Sequence, residues 1–205
     1  MGPIGTICLM PVAKGTSLDP DRTRAAMLEA ATVVFYERGL DGVGIAELCS
    51  SVGASKETLY RHFGSKDGLI AAVLQARSDR NNAWLRRAAA TGGDDPVAQL
   101  TAVFAVLGEW FDQPQYRGCA LLNAATQRHF EPAHSMAVQH LDGYQALLTE
   151  IAAAAGVPDP DRVGRQLLML LQGATVMADH LALGRAAADD ALAAALPLLA
   201  TSGTD

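Results

Sequence analysis

Residues 44–70 read GIAELCSSVGASKETLYRHFGSKDGLI, and the fold follows from this stretch. Ile45, Leu48 and Cys49 stand at helical spacing ahead of a break at Val52-Gly53-Ala54-Ser55. Beyond the break, Leu59 and Phe63 lie four apart, on one face of a second short helix over 56–63. Gly53 falls where a tight corner between helices needs positive φ, which costs glycine nothing. Ser55 stands before the second helix as an N-cap. Two short helices around such a corner make a helix-turn-helix, whose second helix enters the major groove of DNA. The outward face of that helix is polar: Ser55, Lys56, Thr58, Tyr60, Arg61 and His62. Periodicity alone leaves a second reading open, a solvated helix in an ordinary bundle.

The wording of the stretch decides between them. Gly53, Ser55-Lys56, Thr58-Leu59-Tyr60, His62-Phe63 and Ser65-Lys66, followed by Leu69-Ile70, resemble the DNA-binding signature of the TetR/AcrR family of bacterial regulators. The lead-in Ala30-Ala31, Phe35 and Gly39 is similar to that family too, and the resemblance covers residues 22–75. It implies a DNA-binding face made of Ser55, Lys56, Thr58, Tyr60, Arg61 and His62, with Tyr60 and His62 at backbone-contacting positions. Lys56 and Arg61 have the chemistry to pair with phosphate or guanine, and Thr58 to offer its methyl or hydroxyl to a base. Ser65 caps a further helix, and Lys66 adds charge to an N-terminus whose free N–H groups already favour phosphate. Arg22 and Arg24 lie in the first turn of the preceding helix, against its dipole, which suits Arg24 to a phosphate. Gly44 departs from the family, which usually has Thr or Ser there; glycine still caps, but brings no hydroxyl. Cys49 falls where the family commonly has Ala and reads as packing.

The net charge of −6 runs against DNA binding until it is divided. Residues 1–78 hold eight Lys/Arg and eight Asp/Glu, whereas residues 79–205 hold eight and fourteen, so the acid belongs to the back. A neutral front with placed cations predicts specific binding and a moderate salt slope. Cys8, Cys49 and Cys119 are far apart and odd in number, which argues against a disulfide framework or a zinc site and for a reduced cytoplasm. No run reaches the eighteen apolar residues of a membrane span. No basic residue precedes the apolar residues 3–13, so a signal peptide is not expected, and Met10 is an alternative start to Met1.

The chain then reads as all-α, with about nine helices. Residues 1–19 read as a flexible N-terminal arm, 20–65 as the three-helix DNA-binding domain, and 66–205 as an effector-binding and dimerisation bundle. A first helix spans 20–38, capped by Asp19, with Leu28, Ala31 and Phe35 as its apolar stripe. A helix over 66–90, roughly 35 Å at 1.5 Å per residue, joins the two domains. Further helices are expected over 96–111, 117–129, 132–155, 161–183 and 187–199, separated by the Gly/Pro/Asp loops at 91–96 and 156–160.

The last two helices carry the partner signal. Leu167, Leu170, Leu171, Ala174 and Leu181 spread over more of the helix than one buried stripe needs, and Leu192 and Leu196 follow in an Ala-rich helix. The resemblance implies dimerisation through these helices, and a two-fold dimer implies a palindromic operator. The resemblance also implies a small effector inside the back bundle. Candidates that would face inward are Trp84, Phe104, Trp110, Phe111, Cys119, Asn123, Gln127, Tyr144, Met169, Gln172, Met177 and His180, a lining that suits an apolar or aromatic molecule. Cys119 at a helix start leaves two readings open, a thiol sensor or a small buried residue.

His129, His134 and His140 miss the three- or four-residue spacing of paired ligands on a helix, so neither metal nor cofactor is expected. No catalytic grouping is visible, and the chain reads as a non-enzyme. The leading expectation is a cytoplasmic, ligand-responsive, homodimeric DNA-binding regulator, a repressor released from its operator by the effector. The alternatives are an all-α binding protein or enzyme without DNA binding, and an activator of the same fold.

Overall fold

The computed structural model describes residues 20–40, 42–127 and 131–200. The arm at 1–19, Cys8, Asp19 and His129 lie outside the described residues, as does the side chain of Gln127. Every regular element among the described residues is an α-helix, in the order α1 (Pro20–Arg38), α2 (Ile45–Val52), α3 (Lys56–Phe63), α4 (Lys66–Ala90), α5 (Pro96–Phe111), α6 (Ala120–Gln127), α7 (Glu131–Ala154), α8 (Pro160–His180) and α9 (Arg185–Leu199). The bounds of α1, α3, α4 and α5 are those the sequence predicts. The others differ by up to three residues at an end, α6 and α8 close to a left-handed residue. Gly118 at φ 72° holds α6 back until Ala120, and Ala182 at φ 53° lies beyond the end of α8 at His180, short of the expected 183.

These elements fall into two compact units. The front unit contains α1, α2, α3, α4 as far as Ser78, α6, and α7 as far as Met136; the back unit contains the rest of α4 and α7 with α5, α8 and α9. The sequence division after residue 65 therefore differs from this grouping, because the first half of α4 and all of α6 pack with the front helices.

In the front unit α1 packs on α2 and α2 on α3, around Met27, Ala31, Phe35, Leu48, Leu59 and Ile70. Leu59 is wholly enclosed, a burial that contributes roughly 2 kcal/mol to holding α3 in place. Arg38 of α1 pairs with Glu47 of α2. Inside the back unit α8 packs on α5 and α9, and α5 on α9. The acceptor that starts α9 comes from elsewhere: Asp112, at the end of α5, takes the backbone N–H of Arg185 at 2.8 Å and its Nε at 3.2 Å.

Packing against α5 and α9 corrects the reading of α8. Leu167, Leu171 and Ala174 lie in the core of their own protomer, so they are not free to meet a second chain. Leu170, Leu192 and Leu196 are half-buried against that core, and only Leu181 of the expected interface stands out in solvent. The outward stripe is instead Met169 (69% exposed), Gly173, Val176, Met177 and His180, at helical spacing, with Leu181 (60%) beside it. No helix among the described residues is long and apolar enough to cross a membrane.

Candidate nucleic-acid interface

The corner between α2 and α3 is built by backbone hydrogen bonds that one glycine permits. Gly53 adopts φ 65°, ψ 26°, and its N–H reaches the Ser50 carbonyl at 3.3 Å while Ala54 N–H reaches that of Cys49 at 2.9 Å. This pair of bonds is a Schellman motif and satisfies the last carbonyls of α2. Two residues on, Ser55 caps α3: its Oγ accepts the Thr58 N–H at 3.1 Å and lies 2.9 Å from the Thr58 hydroxyl. Gly64, at φ 73°, closes α3 with its N–H on the Tyr60 carbonyl at 2.8 Å. Ser65 then caps α4 by accepting the Gly68 N–H at 2.9 Å. A side chain at Gly68 would strike the Phe63 carbonyl oxygen, so glycine there lets α4 begin hard against the end of α3.

The predicted DNA-binding residues follow from these caps. With Leu59 turned into the core, Ser55, Lys56, Tyr60 and Arg61 face solvent, while Thr58 and Lys66 are half-exposed. Gly44 stands at the N-cap of α2 with no side-chain bond, as its lack of a hydroxyl requires. Two of the predicted residues also engage their own unit. His62 buries its Nε2, which meets no hydrogen-bond partner among the described residues, and the ring lies 6.2 Å from that of Phe63. Arg24 reaches across from α1 and places its guanidinium 5.3 Å from the centre of the Phe63 ring, a cation–π distance. Arg24 therefore fastens the end of α3 to α1, a positioning role that sequence spacing did not reveal. Arg77 does the same for α4: it is buried, with its guanidinium 4.3 Å over Tyr36 of α1.

The effector candidates in the back unit separate by face. Trp84, Trp110 and Phe111 join Tyr116 in one aromatic cluster, with ring centres 4.9–6.1 Å apart. Phe104 and Cys119 are buried. Tyr144 is also buried, its ring 4.4 Å from that of His140. Gln172 buries its Oε1 without a partner among the described residues. Met169, Met177 and His180 point outward, since they lie on the side of α8 opposite Leu167 and Leu171; Asn123 is exposed on α6 in the front unit. Sequence reasoning missed Asn81, Tyr116 and Thr175. Asn81 is three residues from Trp84, on the same side of α4 as the apolar stripe, and that placement was the available signal. Among the described residues no three of His, Cys, Asp and Glu come together as a metal site. Glu150 of α7 holds Arg86 of α4 through two hydrogen bonds at 2.8 and 3.1 Å. That bond keeps its carboxyl below the usual carboxylate range and raises the Arg86 guanidinium.

Comparison with known proteins covers both units. Residues 27–73 match the family model of bacterial regulatory proteins, tetR family, which takes in the whole α2–α3 corner and the start of α4. The transcriptional activator FasR of Mycolicibacterium smegmatis is 39% identical over 90 residues; the match spans 44% of this chain and only 41% of FasR. Two crystal structures of Streptomyces proteins extend the likeness to the full fold. SCO4454 of S. coelicolor, a TetR-family transcriptional regulator, superposes with a TM-score of 0.79 at 28% identity, over 90% of this chain and 96% of that one. The TetR-type regulator sav143 of S. avermitilis gives a TM-score of 0.70 at 30% identity, over 87% of this chain and 98% of its own. The chain belongs to the TetR family of bacterial transcriptional regulators.

Proposed function

We propose that the chain is a cytoplasmic homodimer that holds a palindromic operator as a repressor and releases it when a small apolar or aromatic effector enters the back unit. The observation that carries this reading is the outward face of α3, where Lys56, Tyr60 and Arg61 stand free of the core on a corner fixed by Gly53 and Ser55. Lys66 at the start of α4 adds a phosphate site. The apolar stripe of α8, Met169 to Leu181, supports pairing with a second copy, and two-fold pairing turns one reading helix into two half-sites. The buried, widely separated Cys49 and Cys119 suit a reducing compartment. Release requires the effector to prefer the conformer that does not fit DNA, and α4, which belongs to both units, is the element that would carry the difference. FasR, named an activator, favours a second reading in which the same operator contact activates transcription.

Mapping the chromosomal sites of the tagged protein in its own host tests the proposal. The account expects discrete inverted repeats that vanish from the map in Tyr60→Ala and Lys66→Ala variants of unchanged helix content. Site occupancy indifferent to both substitutions would overturn it in favour of a small-molecule binding protein. Transcript levels of the neighbouring genes in a deletion strain rise for a repressor and fall for an activator.

A further inference from the structure

The back unit buries polar atoms that its own helices leave without partners. Asn81 of α4 is only 3% exposed, and its Oδ1 meets no hydrogen-bond donor among the described residues. Trp110 of α5, equally buried, has no acceptor for its indole Nε1–H, and Gln172 of α8 has no donor for its buried Oε1. Such groups cost about 1–3 kcal/mol each when left alone, so three in one small bundle call for a partner.

The helices that carry them share one aromatic cluster. Asn81 shares a face of α4 with Trp84, whose ring meets Trp110 edge-on at 6.1 Å. Trp110 in turn meets Tyr116 at 4.9 Å. The Tyr116 hydroxyl donates to the Thr175 carbonyl at 2.6 Å, one turn along α8 from Gln172. Two acceptors and one donor therefore lie on α4, α5 and α8, the helices that carry or hydrogen-bond these edge-on rings. Among the described residues of this unit no Asp, Glu, Lys or Arg is buried, and His140 is the one buried histidine, so a cationic ligand would meet no buried carboxylate.

We infer that the effector is an uncharged aromatic molecule bearing a hydroxyl or amide group, which donates to Asn81 or Gln172 and accepts from Trp110. The inference rests on the reading of the back unit as the effector site and adds the chemical class. Among the described residues of the unit, a charged aromatic amine would find no buried carboxylate, and an aromatic acid no buried lysine or arginine, with His140 the one buried histidine. A bare hydrocarbon would leave the same three atoms unsatisfied.

Calorimetric titration of the full-length dimer with 2-naphthol, naphthalene and 2-naphthoate tests the class with one ring and three substituents. The inference expects 2-naphthol to bind about tenfold or more tightly than either of the others, the worth of one buried hydrogen bond. Trp110→Phe keeps a ring and loses the donor, and Asn81→Leu replaces the acceptor with a hydrocarbon. Each should bring naphthol down towards naphthalene, with helix content unchanged from the parent. Tightest binding of the naphthoate, naphthol binding no tighter than naphthalene, or binding of none of the three would overturn the inference. Naphthol binding that follows both variants but leaves operator affinity unchanged would uphold the chemical class and overturn effector-driven release.

Discussion

Helices α3 and α8 each leave one face uncovered by their own unit, and the two faces are opposite in kind. On α3 the uncovered residues are Ser55, Lys56, Tyr60 and Arg61, polar groups that water satisfies until phosphate or base edges replace it. On α8 they are Met169, Val176 and Met177, with Leu181 just past its end, which water does not satisfy. A polar face can wait for its partner at little cost, so DNA binding can be reversible. An apolar face pays continuously for exposure, so its partner belongs to the resting state. The difference fits the proposed partners, DNA for the first and a second copy of the chain for the second.

The largest way to break that comparison is Met177→Asp, which places a charge in the apolar stripe. Sedimentation should show a monomer with its helix content intact, and operator affinity should fall by about a hundredfold or more once the two reading heads are unlinked. A dimer that survives the charge would move the interface elsewhere. A sharper test uses Gly173, in the middle of the stripe, where a Cβ would meet nothing within 4 Å in the single chain. In a monomeric Met177→Asp background, Gly173→Ala should raise stability by up to about 1 kcal/mol through helix propensity alone. In the otherwise native dimer, Gly173→Leu should weaken association by about tenfold, because the space belongs to the partner. Equal effects in both backgrounds would mean that no helix approaches there.

On the polar side, Lys66→Ala should cost roughly tenfold in operator affinity at low salt. It should also make the salt dependence shallower by about one contact in each half-site, read from titrations at several ionic strengths. The smallest expected effect is electrostatic. The Arg86 bond depresses the Glu150 carboxyl, so the unfolded chain takes up that proton first. The bond's stabilisation is complete above the ordinary carboxylate pKa and is lost as pH falls below it. Glu150→Gln should therefore lower the melting temperature slightly at neutral pH and not in strong acid, within the range of an exposed pair.

Local signals made the front unit legible from sequence. Gly53, Ser55, Gly64 and Ser65 each act on their immediate neighbours, and a cap or a left-handed corner is decided within a few residues. Hence α3 and α4 begin and end where the sequence places them. What was not legible depends on residues distant in sequence. Nothing in Arg24's own turn announces Phe63, which folding brings beneath its exposed side chain. The apolarity of α8 was plain, but not its orientation: whether Leu167 or Met169 faces inward is set by α5 and α9, which pack on one side only. Tyr116 escaped notice for the same reason, since its hydroxyl acceptor, the Thr175 carbonyl of α8, is distant in sequence.

Selection of the purified protein from random duplex DNA at about physiological salt is the most direct test of the central claim, that two copies of α3 read DNA together. The account predicts an inverted repeat with half-sites one helical turn or a multiple apart, bound by a dimer and lost in the Met177→Asp monomer. Recovery of no sequence by a folded dimer, or of a single asymmetric site that the monomer binds equally well, would contradict it.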